Sequence, residues 1–267
     1  MRILITNDDG IAAPALPYLV NWAKNLGEVT VVAPKIEQSG KSQAIDFFRE
    51  VEIKRTPRLG DVEAWAMDST PADCVRFGIV GLKKEYDLVI SGINKGFNLG
   101  HDIAYSGTVG AIFEAARLGV PAIAFSMDYE ANAENVIPYL DGILEFMNEN
   151  NLWENGSLYN VNVPNDVQGI CITRQGGMFY SDAFEKRDGD FYIQVGEPIR
   201  NPELDLTVDT DAIWANHISI SPLTHDRTDL VVLDKLMGRS YTEAIDDSKM
   251  DEIIEKGWAD YQKEQEQ

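Results

Sequence analysis

Strand and helix patterns alternate through the first hundred residues, and that alternation limits the possible folds more than any other property of the chain. Arg2 to Thr6 is a short apolar run with β-branched residues, halted by the turn sequence Asn7-Asp8-Asp9-Gly10. Residues 14–26 carry Leu16, Leu19, Val20 and Ala23 at helical spacing, and Gly27 reads as the residue just past a helix C-terminus. Glu28 to Ala33 is a second buried strand, closed by Pro34. Strand, helix and strand in so short a span make a βαβ unit, whose strands run parallel and connect right-handedly.

The pattern continues down the chain. Residues 45–55 and 62–67 read as two alternating strands around a Pro/Gly turn, and Thr70-Pro71 opens a helix with Asp73 in its first turn. Asp87 to Ile90 is a third core strand that stops at Ser91-Gly92. A helix over 108–118, a strand over 121–125, a long helix over 131–149 and strands near 158–163 and 169–173 complete an α/β core over residues 1–175. Residues 176–223 form an extension with a hairpin around Phe191 to Val195, a short helix near 209–215 and a return strand at 217–221. The third segment, 224–267, is acidic, with 12 acidic against 6 basic residues from Asp226 onward. Within it Met250, Ile253, Ile254, Gly257, Trp258 and Tyr261 share one face of a helix over 249–262, introduced by Ser248 and Asp251 at capping-box spacing.

Charge narrows the function classes. A net charge of −21 with a pI near 4.4 repels polyphosphate backbones, so duplex nucleic acid is not an expected partner. A small anionic substrate then requires a metal or backbone dipoles to create a local positive site. At 44% hydrophobic residues and two cysteines, the chain has the composition of a globular protein rather than a disordered or disulfide-stapled one. No apolar run approaches the ~20 residues that span a bilayer, and MRILITNDDG lacks the basic start and apolar core of a signal peptide. The expected address is the cytoplasm, without a membrane partner. Cys74 and Cys171, far apart and outside any CxxC, are expected to be reduced core thiols.

Chemistry gathers at the ends of the core strands. Two carboxylates about 5 Å apart repel by roughly 3 kcal/mol at an effective dielectric near 20. Asp8 and Asp9 therefore need a cation, a shared proton or full solvation; the plain alternative is turn chemistry alone. The second strand leads into Glu37-Gln38-Ser39-Gly40-Lys41-Ser42 and the third into Ser91-Gly92-Ile93-Asn94-Lys95-Gly96-Phe97-Asn98. Asp, Ser and Asn oxygens thus converge on one rim, and hard oxygens select Mg²⁺, Mn²⁺ or Ca²⁺ over zinc or copper. Tyr105-Ser106-Gly107-Thr108-Val109 enters a helix whose N-terminal N–H groups and dipole can cradle a phosphate; the alternative is a simple N-cap.

These segments resemble the SurE (survival protein E) family of metal-dependent 5′/3′-nucleotidases, also described as acid phosphatases. The matching stretches are ITNDDGI at 5–11, VTVVAPKIEQSG at 29–40, MDSTPADCV at 67–75, DLVISGINKGFNLG at 87–100 and YSGTVGAIFEAARLGVPAIAFS at 105–126. LYNVNVP at 158–164 and ISISPL at 218–223 extend the likeness over some four-fifths of the chain. The resemblance implies metal ligands at Asp8, Asp9, Ser39 and Asn94, and phosphate contacts at Asn98, Ser106, Gly107 and Thr108. It further implies a Rossmann-like three-layer αβα core with a mostly parallel sheet, a protruding β-hairpin, and homodimers or homotetramers assembled partly through the C-terminal extension. Two positions depart from the family pattern: Ile36-Glu37-Gln38 stand where basic residues are common, and Gln43 where a His is common.

The expected reaction is hydrolysis of nucleoside 5′- and 3′-monophosphates to nucleoside and phosphate, assisted by one divalent ion per subunit. Asp8 or Asp9 accepts the proton of the attacking water, or one of them is itself the nucleophile in an aspartyl-phosphate route. His101 is a candidate acid toward the leaving alcohol, with a solvated loop side chain as the ordinary alternative. Three rivals belong to other classes. A phosphoacceptor signalling module needs a further Asp where this chain has Ser91; a haloacid-dehalogenase-type phosphatase needs Asp-x-Asp; a non-catalytic nucleotide-binding or scaffold protein needs only the fold.

Overall fold

The structure, a computed structural model, describes residues 1–237. Residues 1–225 form one compact unit, and those from Asp226 onward belong to a second, of which the described part holds the helix Leu230–Met237. The amphipathic helix read over 249–262 lies outside the described residues.

The first unit runs β1 (Arg2–Thr6), α1 (Leu16–Ala23), β2 (Glu28–Pro34), β3 (Ile53–Arg55), β4 (Glu63–Met67), α2 (Pro71–Arg76), β5 (Leu88–Lys95), α3 (Gly107–Arg117), β6 (Ala122–Met127), α4 (Ala133–Glu149) and α5 (Leu152–Asn155). It continues through β7 (Leu158–Val163), β8 (Gly169–Ile172), β9 (Ala183–Lys186), β10 (Tyr192–Val195), α6 (Asp209–Trp214) and β11 (His217–Pro222). Nine strands form one sheet in the order β3-β4-β2-β1-β5-β6-β7-β11-β8, antiparallel only at β3–β4 and β7–β11. β9 and β10 pair separately as an exposed antiparallel hairpin.

The β period of two builds the layers. Ile3 and Ile5 of β1 pack with Leu16, Leu19 and Val20 of α1 and with Leu140 and Ile143 of α4. Leu4, between them, joins Val32, Cys74 and Val75 with Val109 and Ile112 on the α2–α3 side. Each face of the sheet is thus covered by helices, which is why the central strands read as nearly continuous apolar runs. The chain has the mostly parallel, helix-covered sheet of a Rossmann-like α/β fold.

Three local expectations are corrected. Residues 45–52 do not form a strand: Asp46 N–H donates to Asp73 and Arg49 donates to the Asp68 carbonyl, so side-chain bonds replace a ladder. β5 does not stop at Ser91-Gly92, because a register shift between Ser91 and Asn94 lets pairing with β6 resume at Asn94–Ser126. Of the two free cysteines only Cys74 is a core thiol, with burial raising its pKa; Cys171 is half-buried.

Candidate active site at the carboxyl rim of the sheet

Strand order reverses between β1 and β5, and crevices at such switch points are where open α/β sheets bind ligands. Asp8 and Asp9 leave β1 at this point. The turn is made by their neighbours: Asn7 Nδ2 donates to the Gly10 carbonyl at 3.0 Å, and Gly10 N–H donates to Asn7 Oδ1 at 3.1 Å. Turn chemistry therefore uses Asn7 and Gly10 and leaves both carboxylates for other partners.

Asp8 is buried and turned toward the start of α3. Its Oδ1 accepts a short bond from the Thr108 hydroxyl, and the Thr108 N–H also bonds the carboxylate. Burial raises the Asp8 pKa against those stabilising bonds. Position 107 is tightly enclosed: an added Cβ would stand 3.0 Å from the Asp8 Cβ and 3.2 Å from the Gln38 carbonyl oxygen, so these neighbours would have to give by a few tenths of an ångström. Asp9 is half-buried, and burial followed by repulsion from Asp8 pushes its pKa up to about 6. The Lys95 backbone N–H works in the opposite direction, while Glu37 adds to the repulsion on both aspartates.

The other predicted positions lie around this pair. Gln38 N–H donates to the Asp8 carbonyl at 2.7 Å, which brings the 37–40 loop beside β1. Ser39 is exposed and gives its hydroxyl proton to Glu37 Oε1 at 2.7 Å, keeping its oxygen lone pairs. Asn94 Nδ2 donates to the Gly96 carbonyl at 2.8 Å, so Oδ1 is the end of the amide left as an acceptor. Ser106 caps α3, its Oγ accepting from Val109 N–H at 3.1 Å. Thr108, placed by resemblance on the phosphate, is bonded here to Asp8; no described hydrogen bond originates on the Gly107 N–H.

Asn98 is held from the neighbouring strands. Its N–H donates to Asn162 Oδ1 at 2.8 Å and its Nδ2 to Ser126 Oγ at 2.7 Å. Its carbonyl accepts from Asn160 at 2.8 Å and Asn162 at 3.0 Å. Ser126, Asn160 and Asn162 are fully buried and were not singled out from sequence. The available signal was two asparagines at period two in an otherwise apolar central strand, since buried amides need partners.

The two departures also have definite places. Gln43 donates to Glu114 Oε2 at 2.9 Å, and Arg76 and Arg117 bond the other oxygen of that buried carboxylate at 2.9 and 2.7 Å. Glu37, at a position where the resemblance implied a basic residue, contributes negative charge beside Asp8 and Asp9. A cleft of about 530 Å³ opens on Asp9 between Ala13–Tyr18 and Ala131–Glu134, with Glu37 and Lys95 also lining it. Lys95 Nζ stands 4.6 Å from the centre of the Tyr129 ring. His101 is exposed, and its backbone N–H donates to the Gly177 carbonyl at 3.1 Å.

The donor set fits a hard cation. Two mutually repelling carboxylates, an amide oxygen with no described donor and a hydroxyl oxygen are the ligand types of Mg²⁺, Mn²⁺ and Ca²⁺. Among the described residues, no three His, Cys, Asp or Glu side chains group to hold a metal, so a thiolate- or imidazole-rich centre has no donors. No helix among them is long and apolar enough to cross a membrane.

Known proteins resemble this chain over most of its length. The sequence profile described as survival protein SurE matches residues 3–182. The 5′-nucleotidase SurE of Thermoanaerobacter sp. (strain X514) is 37% identical over 246 residues, covering 88% of this chain and 97% of that protein. The 5′-nucleotidase SurE of Desulforudis audaxviator is 38% identical over 247 residues, covering 88% and 96%. The crystal structure of the SurE protein from Aquifex aeolicus superposes with a TM-score of 0.75 at 34% identity, covering 88% of this chain and 98% of that one. A profile match that takes in β1, the 37–40 loop, β5 and the start of α3, joined to relatives aligned over nearly their whole length, means that the chain belongs to the SurE family.

Proposed function

We propose that this chain is a metal-dependent phosphomonoesterase that converts nucleoside 5′-monophosphates, and 3′-monophosphates, to nucleoside and phosphate. The observation that carries the reading is the adjacent carboxylate pair at the sheet's switch point, one member bonded to the start of α3 and the other lining an open cleft. The relatives named 5′-nucleotidase supply the substrate class.

Asp8, Asp9, Ser39 Oγ and Asn94 Oδ1 are the residues to hold the cation, with Mg²⁺ or Mn²⁺ as its identity. When bound, that ion supplies Lewis acidity and neutralises charge on the phosphoryl oxygens. The protein's own groups do the rest. Gly107 N–H and the Asn98 amide donate to the oxygens on which charge accumulates, as preorganised donors do in phosphoryl transfer. Thr108 locks Asp8 in one orientation, which leaves Asp9 as the carboxylate free to accept the proton of the attacking water. The cleft beyond Asp9, of a size suited to small ligands, takes the remainder of the substrate.

The test is phosphate release from a chromogenic phosphomonoester and from AMP, GMP, CMP and UMP, with Mn²⁺ or Mg²⁺ and again with chelator. Metal-dependent release that is lost in Asp8→Asn supports the proposal. Nucleotide binding without release under every metal condition overturns it in favour of a scaffold.

A further inference from the structure

Asp209 opens α6, and its side chain is fully buried. Among the described residues no cation forms a salt bridge with it, and Arg174 favours its charge only through space. Its Oδ2 accepts from the Gly100 N–H at 2.9 Å, and its Oδ1 accepts from the Gly176 and Thr210 N–H groups, each at 2.7 Å. A carboxylate removed from water is costly unless its oxygens are satisfied, and here that requirement joins three separate stretches of chain at one point.

One of those stretches belongs to the rim. Gly100 closes the turn that carries Asn98, with φ +50°, and an added Cβ would lie 1.8 Å from the Gly177 carbonyl oxygen. The same turn is tied from the extension at further points. Gln175 Nε2 donates to the Gly100 carbonyl at 2.7 Å, and His101 N–H to the Gly177 carbonyl. Leu99 packs with Phe179 and Ile213 in a small apolar cluster, and Phe97 meets the Phe179 ring edge-on. Asn98 is thus gripped on one side by β6 and β7 and on the other by the 175–179 turn and the start of α6.

We propose that Asp209 is a positioning residue for the phosphate site: by fixing Gly100 it holds Asn98 in its grip between Asn162 and Ser126. The extension then completes the rim of the core, and the donor set forms only when the 175–177 turn and α6 are docked. This inference rests on the phosphomonoesterase reading above and on Asn98 as a phosphate contact.

The experiment uses the full-length, metal-loaded protein and a chromogenic phosphomonoester, at a temperature where circular dichroism shows each variant folded. Asp209→Asn keeps one acceptor oxygen but sets an amide NH₂ against backbone donors. Gln175→Ala loosens the same turn from an exposed position, so it carries the test should Asp209→Asn not fold. The expected results are a rise of about tenfold in KM and in the inhibition constant of inorganic phosphate for Asp209→Asn, and a smaller rise for Gln175→Ala. In an Asn98→Ala background both substitutions should change kcat/KM by less than about twofold, because they act through Asn98. A purely structural role would lower the melting temperature and leave KM, phosphate inhibition and the coupling to Asn98 unchanged, and that outcome overturns the proposal. So does a fully active Asn98→Ala enzyme, whereas a wild-type protein without any turnover removes the phosphomonoesterase reading itself.

Discussion

Replacing Asp9 with Asn should make the metal-free protein more stable at neutral pH, and the size of the gain follows from its surroundings. Burial and the neighbouring Asp8 move the Asp9 pKa from 3.8 to about 6. At 1.36 kcal/mol per unit the shift corresponds to about 3 kcal/mol. Solvent reaches this half-buried group and screens it, so about 1–2 kcal/mol is the expected net effect. The sign follows from proton binding. Between the unfolded and folded pKa values the folded chain holds the proton more tightly, so this group's contribution is complete below about pH 4 and is lost as pH rises through about 6. At pH 7.5 wild-type Asp9 is therefore a destabilising charge that Asn lacks.

Urea denaturation in chelator at pH 7.5 and at pH 4 measures the difference directly. Asp9→Asn should gain its 1–2 kcal/mol at the higher pH, about 2–8 °C in melting temperature for a chain of this size, and close to nothing at the lower. Adding Mn²⁺ should reverse the ranking, since a ligand that binds the folded wild type raises its stability by mass action. A variant less stable than wild type in chelator at pH 7.5, or a gain of equal size at pH 4, refutes the repulsive carboxylate pair on which this reasoning depends.

Two further substitutions probe other links. Thr108→Val keeps the shape of the side chain but removes the hydroxyl bond to Asp8; a loss of about 1–2 kcal/mol at neutral pH, shrinking in acid as Asp8 protonates, should appear in the same denaturation series. Phe125→Ala empties the fully buried centre of the α1–α4 layer, where the ring meets Trp22 edge-on at 6.1 Å. About 3–5 kcal/mol should be lost in urea unfolding, with residual enzyme activity following the folded fraction.

Order and type of the core elements were legible in the sequence because each carries its own period. β1, α1 and β2 reveal themselves within a few residues, and the parallel pairing of β1 with β2 follows from their connection. The 45–52 stretch misleads for the same reason: its alternation of apolar and charged residues imitates a strand, but Asp46 and Arg49 find side-chain and carbonyl partners instead. β5 outran its expected end because a bulge conserves pairing where Ser-Gly signals a stop. Resemblance marked the site positions, and sequence alone had put Asp8 and Asp9 at the end of β1.

What sequence could not supply was the division of labour among the site's oxygens. A threonine one residue into a helix looks like a phosphate donor; only the fold reveals that Asp8, a hundred positions earlier, takes both its hydroxyl and its N–H. Asp209 raises the same problem at longer range. In sequence it is an acidic residue in a helix's first turn, sufficiently explained by the helix dipole. Its actual partners include the N–H of Gly100, 109 positions away, and backbone N–H groups leave no mark in a sequence because every residue but proline has one. A carboxylate satisfied by main-chain donors is therefore invisible to motif reading, whereas one satisfied by arginines, as Glu114 is by Arg76 and Arg117, at least leaves candidate cations to search for. The consequence is directional: side-chain chemistry at a strand end can be read forward from the sequence, but the residues that hold such chemistry in place by accepting from the backbone can be found only once the chain is folded.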